Sequence, residues 1–140
     1  MRVAVTGAGG RLGSALITAL ADAPFTGPAG PIAWRRDAFD LDAPEVVGSR
    51  LDRDRPEVVV HAAAWTDVDA CALDPDLALR RNGIATGILA EACASREIDL
   101  LIVIDVRFAA HPLDDEVKKD AVTQLLVLEG LFAPDRKSVV

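Results

Sequence analysis

The sequence predicts an α/β fold: a three-layer sandwich with a parallel sheet of about four strands and helices on both faces. Three observations predict it. Short apolar runs alternate with stretches of helical period, in the order strand, helix, strand, helix, strand, helix, strand. The run Glu57-Val58-Val59-Val60-His61-Ala62 has the continuous apolar centre of a parallel strand covered on both faces. A glycine cluster falls at the first strand-to-helix junction, where the chain must turn tightly.

The elements follow in order. Arg2 to Thr6 is the first strand, and Leu12, Ala15, Leu16, Ala19 and Leu20 recur at helical spacing after the glycines. Pro24, Gly27, Pro28, Gly30 and Pro31 make an irregular connector to a second strand at Ile32-Ala33-Trp34. A short edge piece is expected at Ala38-Phe39-Asp40. Asp42 is the expected N-cap of a helix opened by Ala43 and Pro44, carrying Val46, Val47 and Leu51, and stopped by Pro56. After the 57–62 strand, Asp74-Pro75 starts a long helix through Leu77, Ile84, Leu89 and Ala92. Ile98 to Ile104 supplies the fourth strand.

Residues 106–140 differ in character from 1–105. Residues 1–117 hold eleven arginines and no lysine, whereas Lys118, Lys119 and Lys137 all follow. Chance placement and a separate origin for this tail both stay open. Asp114 to Glu129 reads as an amphipathic helix with Val117, Ala121, Val122, Leu125 and Leu126 on its apolar stripe and Gly130 as C-cap. It is expected to close a single domain spanning 1–140.

The net charge of −7 over 140 residues excludes the basic footprint of a nucleic-acid binder and disfavours an anionic membrane surface. A hydrophobic fraction of 51% fits a folded chain rather than a disordered one. Cys71 and Cys93 form neither a CxxC motif nor a disulfide framework, so a reducing cytoplasm is the expected setting. No apolar run approaches the roughly 20 residues of a membrane span. Arg2, Ala15 to Leu20 and Ala21-Asp22-Ala23 loosely mimic a secretory leader, but Arg11 and the glycines interrupt it.

Chemistry concentrates at three places. Thr6-Gly7-Ala8-Gly9-Gly10-Arg11-Leu12-Gly13 carries a GxxGxxG spacing between strand and helix. Glycines there let the backbone turn, approach a pyrophosphate and pack the helix on the sheet, while the helix N-terminus offers its N–H groups to phosphate. A Rossmann-like dinucleotide site is the expectation. At the end of the second strand, where an acidic residue would accept ribose hydroxyls, the sequence reads Trp34-Arg35-Arg36-Asp37. Arg35 and Arg36 suit a 2′-phosphate and favour NADPH, while Asp37 keeps NADH open. At the end of the third strand, His61-Ala62-Ala63-Ala64-Trp65-Thr66-Asp67-Val68-Asp69 offers small residues against which a flat cofactor can lie.

TGAGGRLG, FDLDAPEVV, RPEVVVHAAAWTDVDACALDPDLA and RRNGIATGILAEAC together resemble the dTDP-4-dehydrorhamnose reductases, a family of the extended short-chain dehydrogenase/reductases, over about residues 1–105. The resemblance implies NADPH-dependent reduction of dTDP-4-dehydro-L-rhamnose to dTDP-L-rhamnose. It implies that Gly7, Gly10, Arg11, Leu12 and Gly13 cradle the pyrophosphate, and that Asp40 and Leu41 lie near the adenine. Ala62, Ala63 and Ala64 would line the cofactor, and Asn82 matches the family's helix asparagine. His61 replaces a usual asparagine and Trp65 a usual tyrosine.

The catalytic half departs from the family. Val103-Ile104-Asp105-Val106-Arg107-Phe108 stands where the family carries a Ser-Thr-Asp-Tyr-Val-Phe motif, so Ile104 replaces the hydroxyl that orients the ketone. The family's YxxxK pair supplies a tyrosine acid and a lysine that lowers its pKa; this chain has no tyrosine. A substrate lobe about as long as this chain is also expected to be missing, so no catalytic residue is assigned and the chain alone is expected to be non-catalytic. A regulatory or interaction subunit on the same fold, or a shortened or engineered chain whose role is to fold, are the alternatives. The expected partners are a second copy of the chain in a homo-oligomer, or a separate partner carrying the missing substrate lobe.

Other residues offer less. His61 ends a buried strand and reads as a hydrogen-bonded packing residue rather than a base, and His111 before Pro112 as a solvated loop residue. Asp67 and Asp69 share one turn without the framing of a calcium loop, so no metal is expected. Ser138-Val139-Val140 only superficially fits a sheet-edge peptide.

Overall fold

Four parallel strands form where the β-branched runs lie: β1 (Val3–Thr6), β2 (Ile32–Trp34), β3 (Val58–His61) and β4 (Asp99–Ile102). Their order is β2-β1-β3-β4 in a computed structural model that describes residues 1–103. The register aligns Thr6 with Trp34 on one side and His61 on the other, and His61 with Ile102. The carboxyl ends of all four strands therefore form one row. The order reverses between β1 and β3, which is where an open parallel sheet leaves a crevice.

Side chains alternate along each strand and are buried on both faces. On one face Ala4, Trp34 and Val59 pack with Val47, Leu51, Leu89 and Cys93 in a continuous core. Val3, Val5 and Val60 are buried on the other. The helices are α1 (Arg11–Ala21), α2 (Val47–Asp54) after a 3₁₀ turn (Pro44–Val46), α3 (Val68–Leu73), α4 (Pro75–Ala78) and α5 (Ala85–Ala94). None of the described helices is long and apolar enough to cross a membrane. Cys71 and Cys93 are free thiols, and burial pushes the Cys93 thiol up to about 11.

Several expectations are corrected. Ala38-Phe39-Asp40 is a turn rather than an edge strand, because Ala38 and Phe39 both donate their N–H to the Arg35 carbonyl, at 2.9 and 3.0 Å. Asp42 does not cap the second helix; Ala43 precedes Pro44 with no side-chain cap, since the Asp42 carboxylate is held by arginines. Arg55, in the left-handed region at φ 46°, ends α2 one residue before Pro56. The expected long helix contains a six-residue π-helical stretch, Leu79–Ile84, between α4 and α5. Helix α3 was not anticipated. The Asp114–Glu129 helix, His111, the Ile104–Phe108 segment and the Ser138-Val139-Val140 terminus lie outside the described residues, so the 1–140 domain boundary remains a proposal.

Candidate functional site

The β1–α1 turn is built by its glycines. Gly7 sits at φ +65°, and a Cβ there would lie 2.8 Å from the Ala63 backbone. A Cβ on Gly13 would lie 2.0 Å from the Gly7 carbonyl oxygen. These two glycines let the turn pass close over the end of β3 and let α1 seat on the turn. Gly9 has nothing within 4 Å of its Cβ position, and Gly10 only the Gly7 oxygen at 3.3 Å. The turn is tied to β2 by the Ala8 N–H, which donates to the Trp34 carbonyl at 3.1 Å. Gly10 is the N-cap of α1, without a side-chain cap or an acidic residue in the first turn. Such a helix start presents free N–H groups and the positive end of its dipole.

Opposite the turn, a cavity of about 330 Å³ opens at the crevice between β1 and β3. Gly7, Gly9 and Gly10 form one wall, and Ala62, Ala63, Ala64 and Trp65 form the floor. Phe39 and Leu41 add apolar surface, and Arg36, Asp40, Asp42 and Arg81 form the rim. A pocket of this size, apolar with convergent polar groups, suits a small-molecule moiety.

A neutral hydrogen-bond network supports the floor. Thr6 Oγ1 accepts the Ala62 and Ala63 N–H groups at 3.1 and 3.2 Å and lies 2.7 Å from His61 Nδ1. His61 Nε2 lies 3.0 Å from Thr86 Oγ1, which donates to the Asn82 carbonyl at 2.8 Å. The Thr86 proton is thus committed to Asn82, so Nε2–H donates to Thr86 and the bare Nδ1 accepts the Thr6 hydroxyl. The ring of Phe39 meets the imidazole edge-on, with centroids 5.7 Å apart. Burial pushes His61 down to about 4, which keeps the imidazole neutral near pH 7 within this hydrogen-bonded network.

Asn82 fixes the end of the floor. Its Oδ1 accepts the Trp65 N–H at 2.7 Å and its Nδ2 donates to the Trp65 carbonyl at 2.9 Å. Beside it, the Arg81 guanidinium lies 4.8 Å from the Trp65 ring centroid, within cation–π range. Arg81 also donates twice to Asp42, Nε to Oδ1 at 2.6 Å and an Nη to Oδ2 at 2.8 Å. Arg36 donates to Asp42 Oδ2 at 3.0 Å and to Asp40 Oδ2 at 3.1 Å. The Arg81 hydrogen bonds hold Asp42 below the usual carboxylate range, while Asp40 is lowered first by the Asp42 backbone N–H and then by Arg36.

Of the anticipated residues, Gly7, Gly10, Arg36, Asp40, Leu41, Ala62, Ala63 and Ala64 meet at the cavity. Gly13 acts through packing, and Asn82 through Trp65. Arg11 and Leu12 open α1 with exposed side chains and do not line the cavity. Arg35 is exposed and does not line the cavity. Gly9, Phe39, Trp65, Asp42 and Arg81 were missed as lining residues. Asp67 is the N-cap of α3, accepting from the Ala70 N–H at 3.0 Å. Among the described residues no group of three or more His, Cys, Asp or Glu side chains is placed to hold a metal.

A profile described as the RmlD substrate binding domain matches residues 1–106. The chain belongs to the RmlD family. Within the RmlD family, it is 42% identical over 92 residues to a dTDP-4-dehydrorhamnose reductase of Burkholderia thailandensis, covering 66% of this chain and 29% of that protein. It is 35% identical over 106 residues to a probable low-salt glycan biosynthesis reductase of Haloferax volcanii, covering 69% and 34%. The chain thus spans about a third of the length of these RmlD relatives. Among solved structures, the dTDP-4-dehydrorhamnose reductase of Bacillus anthracis in complex with NADP superposes with a TM-score of 0.62 at 29% identity. That match covers 71% of this chain and 34% of the other.

Proposed function

We propose that this RmlD-family chain binds a nicotinamide dinucleotide, NADPH or NADH, in the cavity between β1 and β3. The observation that carries the reading is the uncapped start of α1, brought by the glycine turn to a cavity floored by alanines. Gly7, Gly9 and Gly10 leave room for a pyrophosphate against the backbone, and the N–H groups of Arg11, Leu12 and Gly13 complete an anion cradle. Ala62, Ala63 and Ala64 hold a flat group because nothing larger than a methyl projects from them. Asp40 and Leu41 serve the adenosine end, and Arg36, at the cavity rim, the ribose 2′ position. Asn82 acts by holding Trp65. Bound there, a reduced nicotinamide supplies a hydride to a ketone. The NADP-bound reductase of Bacillus anthracis supports this choice of cofactor, and the dTDP-4-dehydrorhamnose reductases among the relatives support a sugar nucleotide as the substrate class.

The 140 residues by themselves are proposed to bind without turnover. A hydride transferred to a ketone leaves negative charge on oxygen, and a positioned acid contributes typically about 10²–10⁴-fold. The family resemblance assigns that acid to a tyrosine, and this chain contains none. One experiment tests both halves. NADPH is titrated while Trp65 emission is read, since Trp34 is buried with its indole N–H on Asp54 at 2.8 Å. Wild type is expected to saturate and Gly10→Val to show no change; identical responses would overturn the binding reading. With dTDP-4-dehydrorhamnose added, NADPH absorbance is expected to stay constant. Steady NADPH loss above the Gly10→Val control would overturn the claim of no turnover.

A further inference from the structure

The rim holds more anion-binding machinery than the cofactor reading uses. Two guanidiniums from distant parts of the chain, Arg36 after β2 and Arg81 in the π-helical stretch, converge on one carboxylate. Asp42 Oδ2 receives an Nη of each, at 3.0 and 2.8 Å, while Arg81 Nε takes Oδ1 at 2.6 Å. The arrangement is that of a bidentate arginine fork plus a second arginine, a geometry that suits phosphate as well as carboxylate. Asp40 takes the remaining contact of Arg36, so two arginines and two aspartates leave the rim without surplus charge.

Resting on the proposed dinucleotide site, we propose that Asp42 is a built-in competitor. It occupies a two-arginine seat that would otherwise take the 2′-phosphate of the phosphorylated dinucleotide, and so narrows the preference between the two cofactors. Three observations carry this. The seat borders the cavity. Its Arg36 and Asp42 lie on the loop following β2, where the ribose 2′ position is recognised in this class of site, and Arg81 reaches the same point from the π-helical stretch. Asp42 sits on the exposed loop between β2 and the 3₁₀ turn, where swinging aside disrupts no core contact.

The stacking of Arg81 on Trp65 gives the seat its stiffness. With its ring face under the guanidinium, Trp65 keeps Arg81 aimed at the rim whether or not the carboxylate is present. Asn82, the next residue, holds the Trp65 backbone at both its N–H and its carbonyl. The fork is therefore anchored independently of Asp42, and a phosphate entering the seat meets arginines already in place. NADH, lacking the 2′-phosphate, gains nothing from the departure of Asp42.

The test compares dissociation constants for NADPH and NADH, in phosphate-free buffer, for wild type, Asp42→Asn and Asp42→Ser. Freeing one charge-assisted fork for the phosphate is expected to tighten NADPH by about tenfold or more, while NADH changes less than about twofold. Adding Arg81→Gln to Asp42→Asn is expected to abolish the gain. Unchanged or weaker NADPH binding in both Asp42 variants, or equal tightening of both cofactors, would overturn the inference while leaving the dinucleotide site intact. Failure of every form to bind either cofactor would overturn the dinucleotide site itself.

Discussion

At the floor of the cavity, Thr6 and His61 are neutral and buried and join Thr86 in a network whose donors and acceptors each have a partner. At its rim, Arg36, Asp40, Asp42 and Arg81 are charged, more open to solvent, and share partners among themselves. The difference follows from position. The floor is an extension of the sheet, where an unpaired polar atom costs its full desolvation, so partners must be fixed. The rim is at the solvent boundary, where ion pairs exchange at little cost in stability. The floor thus determines whether the site exists, and the rim what it prefers. Breaking each region separately should show these two kinds of effect.

The largest effect is expected at Gly13. Its Cβ position lies 2.0 Å from the Gly7 oxygen, a backbone atom that cannot yield without opening the turn. Gly13→Ala should cost several kcal/mol, on the scale of other severe backbone conflicts, about 3 or more. Circular dichroism during a urea titration should show a large loss of stability or no folded baseline. Gly9→Ala, with nothing within 4 Å, should fold like wild type. Equal stability of the two variants would refute the division of labour within the turn.

This division was half legible in the sequence. The spacing of Gly7, Gly10 and Gly13 marks the turn, and the alanine run marks the floor, because both depend on local backbone geometry and side-chain size. Nothing local separates the glycine that packs from the glycine that faces open space; that depends on where the end of β3 passes. The rim was less legible still. The sequence offers Arg36 to a 2′-phosphate without showing its ion pairs, because Asp40 and Asp42 read there as an edge-strand residue and a helix cap rather than as its partners. Arg81 lies 39 residues from Asp42, and the π-helical stretch that places it has no reliable sequence signature, although Gly83 within a helix is a hint. Tertiary charge pairing does not announce itself in periodicity.

An intermediate effect is expected at His61, through pH. Its pKa falls from 6.5 to about 4 in the folded state because burial penalises the imidazolium. Between those values the unfolded chain binds more protons than the folded one, so stability rises with pH across this window. It is fully present above pH 6.5 and is lost as pH falls toward 4, by about 3 kcal/mol in all. Asp40, Asp42 and Asp52 have lowered pKa values and add their own slopes only in more acidic solution. Urea midpoints at closely spaced pH values should therefore fall through this window in wild type and flatten in His61→Asn. A slope unchanged in His61→Asn would assign the titration to another group.

The smallest stability effect is expected at Arg81, although it joins the rim to Trp65. Its ion pair with Asp42 has side chains 24% and 37% exposed, so solvent and salt already screen it. Arg81→Met keeps an apolar stem over the indole while removing the charge, and should shift the melting temperature by no more than about 3 °C. The spectroscopic effect should be larger than the thermal one. The guanidinium 4.8 Å from the Trp65 centroid perturbs that ring directly, whereas Trp34 is buried with its indole N–H held by Asp54, so emission should change mainly at Trp65. Asn82 holds the Trp65 backbone at its N–H and carbonyl, so the loop that carries the indole should stay in place when Arg81 is replaced. A melting shift as large as that of His61→Asn at neutral pH would mean that the rim carries structural weight, and the separation between a floor that folds the site and a rim that tunes it would fail.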